Sequence, residues 1–223
     1  MFEFVHVAPE APTTLERMAL TADCAGYSSV VVRNHSDSLP DDVSPNVSSD
    51  VDVDVYKGVE IRAETPDELH GYLGGYAGDE YDCVCVHGGD EAINRAAVAS
   101  ERVDLLCHPH EGRHRGFNHV LVKQAAENDV ALEFSLRNVL RESGGRRVHE
   151  LRDMKLLLKL VRKYSAPFVV SVDPLSHLEV RGAREVEALC EMIGFEKDEI
   201  REGTVETPRG IVEDKEDEVV EVL

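Results

Sequence analysis

At 223 residues, with 42% hydrophobic side chains and no Trp, the chain is long enough to bury a full core of Val, Leu, Ala and Ile without disulfide or metal staples. Its 24 basic residues stand against 44 acidic ones, a net charge of −20 that by itself argues against a nucleic-acid partner. No run approaches the roughly 18 apolar residues of a membrane span, and Met1 to His6 show no basic segment followed by an apolar one, so a cytoplasmic location with no membrane partner is expected.

Two features qualify that exclusion. Lysine is scarce, 7 against 17 arginines, and acids run through every surface-like segment, the pattern of a halophilic source whose proteins are acidic whatever they bind. The five cysteines are odd in number and mostly in apolar surroundings, which reads as reduced, buried thiols, and Cys83-x-Cys85 lacks the C-x-x-C spacing of a redox or zinc motif.

Taken in chain order, residues 2–7 form a first β-branched and aromatic strand, followed by a helix from a Thr13-x-x-Glu16 capping box to a stop at Gly26. Residues 29–33 are a second strand. Residues 36–50, rich in Ser, Asp and Pro, are a solvated loop, and the alternation over 50–55 predicts a half-exposed edge strand. Strands follow over 57–62, 83–87 and 103–108, with the Gly71, Gly74, Gly75 and Gly78 cluster read as loop between them. A helix over 118–128, a strand over 131–135, a long helix over 146–164, a strand over 168–172 and a closing helix to 193 complete the series. Residues 196–223 hold eleven acids and four bases without a core pattern, so the domain is expected to span 1–195 and to be followed by an acidic, weakly ordered tail.

About seven βα units at regular spacing predict an α/β fold of TIM-barrel type with about seven parallel strands, and no dinucleotide or P-loop glycine motif follows the first strand. Polar residues recur where the strands end: His6, Arg33, Asn34, His35, Glu60, Arg62, His87, His108, Glu133, Ser135 and Asp173. In a βα barrel these ends share one face, so the groups should converge at its mouth. Imidazole and carboxylate suit zinc, iron or manganese, and His6, His35, Glu60, His108 and Asp173 resemble the ligands of PHP-type metallophosphoesterases, whose barrels are related. The H-x-H pair here reads His6-Val7-Ala8 and the closing D-x-H reads Asp173-Pro174-Leu175, so two ligands of that pattern are missing. The run from His108 to Gly116 reads as an exposed turn beside the mouth, with Arg113 and Arg115 within reach of phosphate.

The basic residues are unevenly placed. Between Arg137 and Lys163 there are nine bases (Arg137, Arg141, Arg146, Arg147, Arg152, Lys155, Lys159, Arg162, Lys163) and three acids, +6 within a −20 chain. Arg152, Lys155, Lys159 and Arg162 share one helical face, with Leu151, Met154, Leu158 and Val161 as the adjoining apolar stripe. Residues 141–147 are read as a flexible basic loop at the helix N-terminus, where backbone N–H groups favour phosphate. Such faces are usually only solvated; in so acidic a chain this one points to an anion-binding surface, and its length favours RNA over a small phosphate.

Asn118-His119-Val120-Leu121-Val122-Lys123 and Glu133-Phe134-Ser135-Leu136-Arg137-Asn138-Val139-Leu140 resemble the F-N/D-H-V-L-A-K and F-S-L-R-P-L-L signature of archaeal ribonuclease P protein component 3. Val31 to His35, Gly58 to Arg62 and Ala166 to Ser171 are similar to its haloarchaeal members; Asn138, where the family usually has Pro, and the acidic tail depart from it. The resemblance implies a TIM-barrel-like protein that supports a catalytic RNA in removing the 5′ leader of precursor tRNA. It implies as partners the ribonuclease P RNA, precursor tRNA and the other protein subunits, above all a small RRM-like one. No cofactor is then held by the polypeptide, and Mg²⁺ acts with the RNA. Lys123, Arg137, Arg141 and Arg147 match the basic part of the signature; with Arg146, Arg152, Lys155, Lys159 and Arg162, and Arg33 and Arg62 at the mouth, they are the RNA-binding candidates. A stand-alone PHP-like phosphoesterase and a small-molecule barrel enzyme are the competing readings.

Overall fold

A computed structural model describes residues 1–41, 43, 51–76, 80–110 and 116–213. Seven strands pair in chain order, every pair parallel: β1 (Phe2–Val5), β2 (Ser29–Val32), β3 (Asp54–Ile61), β4 (Cys83–His87), β5 (Leu105–Cys107), β6 (Ala131–Ser135) and β7 (Phe168–Ser171). The helices between them are α1 (Leu15–Ala25), α2 (Pro66–Tyr76), α3 (Glu91–Val98), α4 (His119–Glu127), α5 (Arg137–Arg141), α6 (Gly144–Tyr164), α7 (Ala183–Ile193) and α8 (Lys197–Arg201). β1 and β7 lie side by side without a ladder among the described residues, so the barrel is nearly closed.

The seam carries a side chain in place of the missing backbone bonds. The buried Glu3 carboxylate accepts from the Val172 N–H at 3.0 Å, the Asp173 N–H at 3.2 Å and the Tyr27 hydroxyl at 3.0 Å. Burial pushes its carboxyl up to about 7, against the pull of these donors.

Strand side chains alternate between the barrel interior and the helix layer. Phe2, Phe4, Val31, Cys83, Cys85, Leu105, Cys107, Ala131 and Val169 form one inner cluster, and the opposite faces pack the helices. Continuing the inner faces by steps of two leads from these apolar residues to His6, Arg33, His35, Glu60, His87, Glu133, Ser135, Ser171 and Asp173 at the C-terminal strand ends. Gly58 keeps the interior open, since a Cβ there would lie 3.1 Å from Val31 and from the Val32 carbonyl.

Helix signals in the sequence are realised with small shifts. Thr14, one residue past the expected cap, accepts from the Arg17 N–H, and Gly26 ends α1 in the left-handed region at φ 89°. Asn118 caps α4 through the N–H groups of Val120 and Leu121. Other expectations are corrected. Residues 54–61 form one continuous strand, not an edge strand followed by a main one, because its first half pairs with β2 and its second with β4. Gly71, Gly74 and Gly75 lie inside α2, where the buried Leu69 and Leu73 dock the helix and outweigh the low helix propensity of glycine. Residues 141–147 are not a loop: α5 ends at Arg141 and α6 starts at Gly144. Cys24 is exposed, while the other four thiols are buried.

The largest correction concerns the C-terminal segment. Residues 196–213 are helical, with a π turn at Glu202–Glu206, and they cover the end of the barrel opposite the mouth. Val212 is fully buried with Phe2 and Phe4, Ile200 and Thr204 are buried, and Gly203 lies against Phe168 so closely that a Cβ would meet the ring at 2.6 Å. A few apolar residues suffice because they plug a preformed apolar barrel end; no helical periodicity is needed. Residues 214–223, most of residues 36–50, Gly78 and residues 111–115, with Arg113 and Arg115, lie outside the described residues.

Candidate functional site

Six strands and the loop after β1 bring the strand-end residues together at the barrel mouth. Arg33 is at its centre, fully buried. Its guanidinium lies 2.7 Å from Glu133, 2.9 Å from Asp173 and 3.5 Å from Glu60, and it donates to Cys107 Sγ at 2.7 Å. A fixed organic cation is therefore shared among the deep carboxylates of β3, β6 and β7 and offsets part of their charge. Arg33 is thus removed from the RNA-contact candidates, since it reaches no solvent. The alternation along β2 that points Val31 inward does the same to Arg33.

The other mouth residues form shells around this cation. His6 Nε2 is 3.5 Å from Asp173 and 3.8 Å from Glu60; His108 Nε2 is 3.5 Å from Asp173 and 3.9 Å from Glu60. Ser171 donates to Glu133 at 3.1 Å and Ser135 to Asp173 at 3.2 Å. Arg137, a candidate for RNA contact, is turned inward: Nη2 donates to the Asp173 carboxylate at 2.6 Å and Nε to its carbonyl at 2.7 Å. His108 and Asp173 both hold left-handed backbone, at φ 50° and 56°, which non-glycine residues rarely adopt outside constrained sites.

Toward the rim, Glu10 accepts from the His35 N–H at 2.8 Å and bonds the His35 ring through Nδ1 and the His6 ring at 3.2 Å. Glu10 is absent from the sequence-derived site. It sits in the loop following β1 and not at a strand end, so only its position after Pro9 in a βα loop could have flagged it. His35 Nε2 lies 3.1 Å from His87 Nδ1 and 3.3 Å from Glu60, and His87 Nδ1 lies 2.5 Å from Glu60.

Titration follows from these contacts. For Glu60 and Asp173, burial would push the carboxyls up, but Arg33 foremost, with the neighbouring imidazoles, holds both well below the usual range. Burial opposes a charged His35, yet Glu10 and Glu60 outweigh it and raise the ring to about 9; His6 is raised by Asp173 and Glu10 in the same way. Four carboxylates (Glu10, Glu60, Glu133, Asp173) meet two inward guanidinium groups (Arg33, Arg137), an excess of two negative charges that only the imidazoles or another cation can balance.

The alternative metal set of His6, His35, Glu60, His108 and Asp173, already short of two ligands in the sequence, does not gather around one open position, because Arg33 occupies the space between Glu60 and Asp173. His108 and His110 are buried, not part of an exposed turn, and His110 Nε2 lies 3.5 Å from Glu150 of α6.

The basic face is a separate region. α6 packs between α4 and α7 through Met154, Leu157, Leu158 and Val161, leaving Arg152, Lys155, Lys159 and Arg162 outside. Several candidate bases are tied down. Arg141 is bonded to Glu179, Arg146 to Glu142 at 2.5 Å, Lys123 to Glu127 at 2.9 Å, and Arg162 to Glu199 at 2.6 Å. Arg147 reaches the Leu140 carbonyl, Arg152 lies 3.5 Å from Asp153, and Arg62 at the rim lies 3.7 Å from Asp37. Lys155 and Lys159 form no ion pair among the described residues and line a groove with Val148, Leu151, Arg152 and Leu156.

Comparison with known proteins brings these observations together. The family model described as RNase P subunit p30 matches residues 1–218. The chain is 44% identical over 207 residues to ribonuclease P protein component 3 of Haloarcula marismortui, covering 92% of this chain and 87% of that one.

The chain belongs to the ribonuclease P protein component 3 family.

Its likeness to a chain in the cryo-EM structure of archaeal ribonuclease P with mature tRNA has a TM-score of 0.78 at 22% identity, covering 96% and 91% of the two chains. The barrel itself is shared more widely. Histidinol phosphate phosphatase of Lactococcus lactis, in complex with zinc, L-histidinol and phosphate, has a TM-score of 0.57 at 12% identity, covering 87% and 94%. The chain thus shares its barrel fold with that phosphatase, and Arg33 occupies its own deep mouth. Its acidic surface fits that of a protein with salt-loving relatives. No helix among the described residues is long and apolar enough to cross a membrane.

Proposed function

We infer that this ribonuclease P protein subunit supports the RNA of the enzyme in removing the 5′ leader of precursor tRNA, and that it meets RNA through the outer face of α6. The carrying observation is the exposed Arg152, Lys155 and Lys159 set on one helix of a chain with net charge −20. Of these, Lys155 and Lys159 form no ion pair among the described residues and can exchange bound counterions for phosphates, whereas Arg141, Arg146, Arg152 and Arg162 must first leave a carboxylate. The apolar Val148, Leu151 and Leu156 between these bases suit a composite surface, where a small RRM-like subunit shares the face with RNA.

In this reading the polypeptide does no phosphodiester chemistry. The space that a deep catalytic metal would need is held by Arg33, and the Mg²⁺ ions of the reaction belong to the RNA. The protein works in the cytoplasm, with ribonuclease P RNA, precursor tRNA and the other protein subunits as partners. Reconstitution of the holoenzyme over a salt series tests it. Lys155→Ala with Lys159→Ala should weaken assembly severalfold and flatten the slope of log affinity against log salt by about 1 to 2. Arg141→Ala with Arg147→Ala should do less, the reverse of the order that the planar guanidinium alone suggests. Unchanged assembly in the lysine pair would move the RNA surface off α6, and cleavage of precursor tRNA by the polypeptide alone would return the phosphoesterase reading.

A further inference from the structure

The rim of the barrel mouth has a property that RNA support does not use. Three ligand atoms on three adjacent strand ends, His35 Nε2, Glu60 Oε1 and His87 Nδ1, lie within 2.5 to 3.3 Å of one another. Two imidazoles and one carboxylate, with one side open, are the donor set of a catalytic-type zinc site and of related first-row metals. Metal–nitrogen and metal–oxygen bonds of roughly 2.0–2.2 Å at tetrahedral angles require ligand atoms about 3.3 Å apart. Two of the three edges already approach that length. The His87–Glu60 edge would open by less than about 1 Å, which rotation of the partly exposed His87 ring can supply.

We propose that His35, Glu60 and His87 form a mononuclear site for a divalent transition-metal ion of the zinc class, with Glu10 as its outer-shell orienting group. The two oxygens of Glu60 divide the mouth in two. Oε2 faces Arg33 and the deep carboxylates, where a buried cation is built in; Oε1 faces His35, His87 and the solvent side, where the nearby guanidinium is that of the half-exposed Arg62, set against the His35 ring. Glu10 bonded to His35 Nδ1 holds the ring so that Nε2 points at the site, the carboxylate–histidine arrangement that fixes the ligating nitrogen in metal centres. A dication would balance the two-charge carboxylate excess, taking the place of a proton between His35 and Glu60. Exposure on the His87 side leaves a fourth position for water. Arg62 Nη2, 3.0 Å from His35 Nε2, is the competitor: it is half exposed, and it would swing toward Asp37 as the ion enters.

The full-length protein, stripped with a chelator and dialysed against Zn²⁺ in concentrated KCl, tests this by metal content per chain and by competition with a chromophoric chelator. Cobalt substitution, read by its visible spectrum, reports the coordination geometry. One tight ion per chain is expected. His87→Gln should weaken binding at least tenfold with circular dichroism unchanged. Glu10→Gln should weaken it by roughly 10- to 100-fold. Arg62→Ala should strengthen it, a result that nonspecific binding to the acidic surface would not produce. No saturable binding, or a stoichiometry and affinity unmoved by His87→Gln and by His35→Ala, overturns the proposal.

Discussion

Inside the barrel mouth Arg33 meets three carboxylates out of contact with water, whereas on α6 Lys155 and Lys159 stand in solvent beside half-buried apolar residues. The buried charge is committed: its partners come from β3, β6 and β7, and removing it would strand their carboxylates in a low-dielectric interior. The exposed charges have no such partner among the described residues, so the fold loses little without them, and their electrostatic free energy remains for association. Basic residues of one chain thus serve stability or recognition according to what surrounds them.

The comparison breaks if the two regions respond alike to substitution. Arg33→Leu should have the largest effect on the fold, about 3–5 kcal/mol from uncompensated buried carboxylates, read by denaturant unfolding at fixed high salt. A loss below about 1 kcal/mol would mean that imidazolium groups compensate in its place.

Glu3 sharpens the same point at the seam. Its folded carboxyl lies at about 7, above the unfolded value of 4.5, so its contribution is fully present below about pH 4.5 and lost as pH rises through 7. Wild type should therefore lose up to about 3 kcal/mol relative to Glu3→Gln between pH 4.5 and 8. Parallel stability curves for the two proteins would contradict a raised Glu3.

Gly203→Ala probes a contact without charge. A methyl group forced against Phe168 and Val170 should cost about 1–3 kcal/mol of stability, measured by thermal unfolding, whereas a loosely held tail would not respond. At the small end, Lys155→Ala with Lys159→Ala should change stability by less than about 0.5 kcal/mol while still weakening holoenzyme assembly. A change in melting temperature as large as that of Arg33→Leu would show that these lysines belong to the fold.

Local sequence determined much of this. The β-branched runs set seven strands, Gly26 and the Asn118 cap set helix limits, and the 3-4-3 spacing of Arg152, Lys155, Lys159 and Arg162 set one exposed face. Polar residues at the strand ends already located the mouth, because every parallel βα strand ends on the same side of the barrel. Tertiary structure alone decided which bases were available. Arg33 faces inward toward Glu133, Arg137 toward Asp173 and Arg141 toward Glu179, pairs formed by strands and loops far apart in the chain, which no local pattern encodes. It also decided the order of residues 196–213: Ile200 and Val212 are too sparse to mark a helix face, but the barrel end presents an apolar surface that needs only a few side chains to cover it. Periodicity reports which face of an element is buried; what that face meets is set by the closure of the barrel.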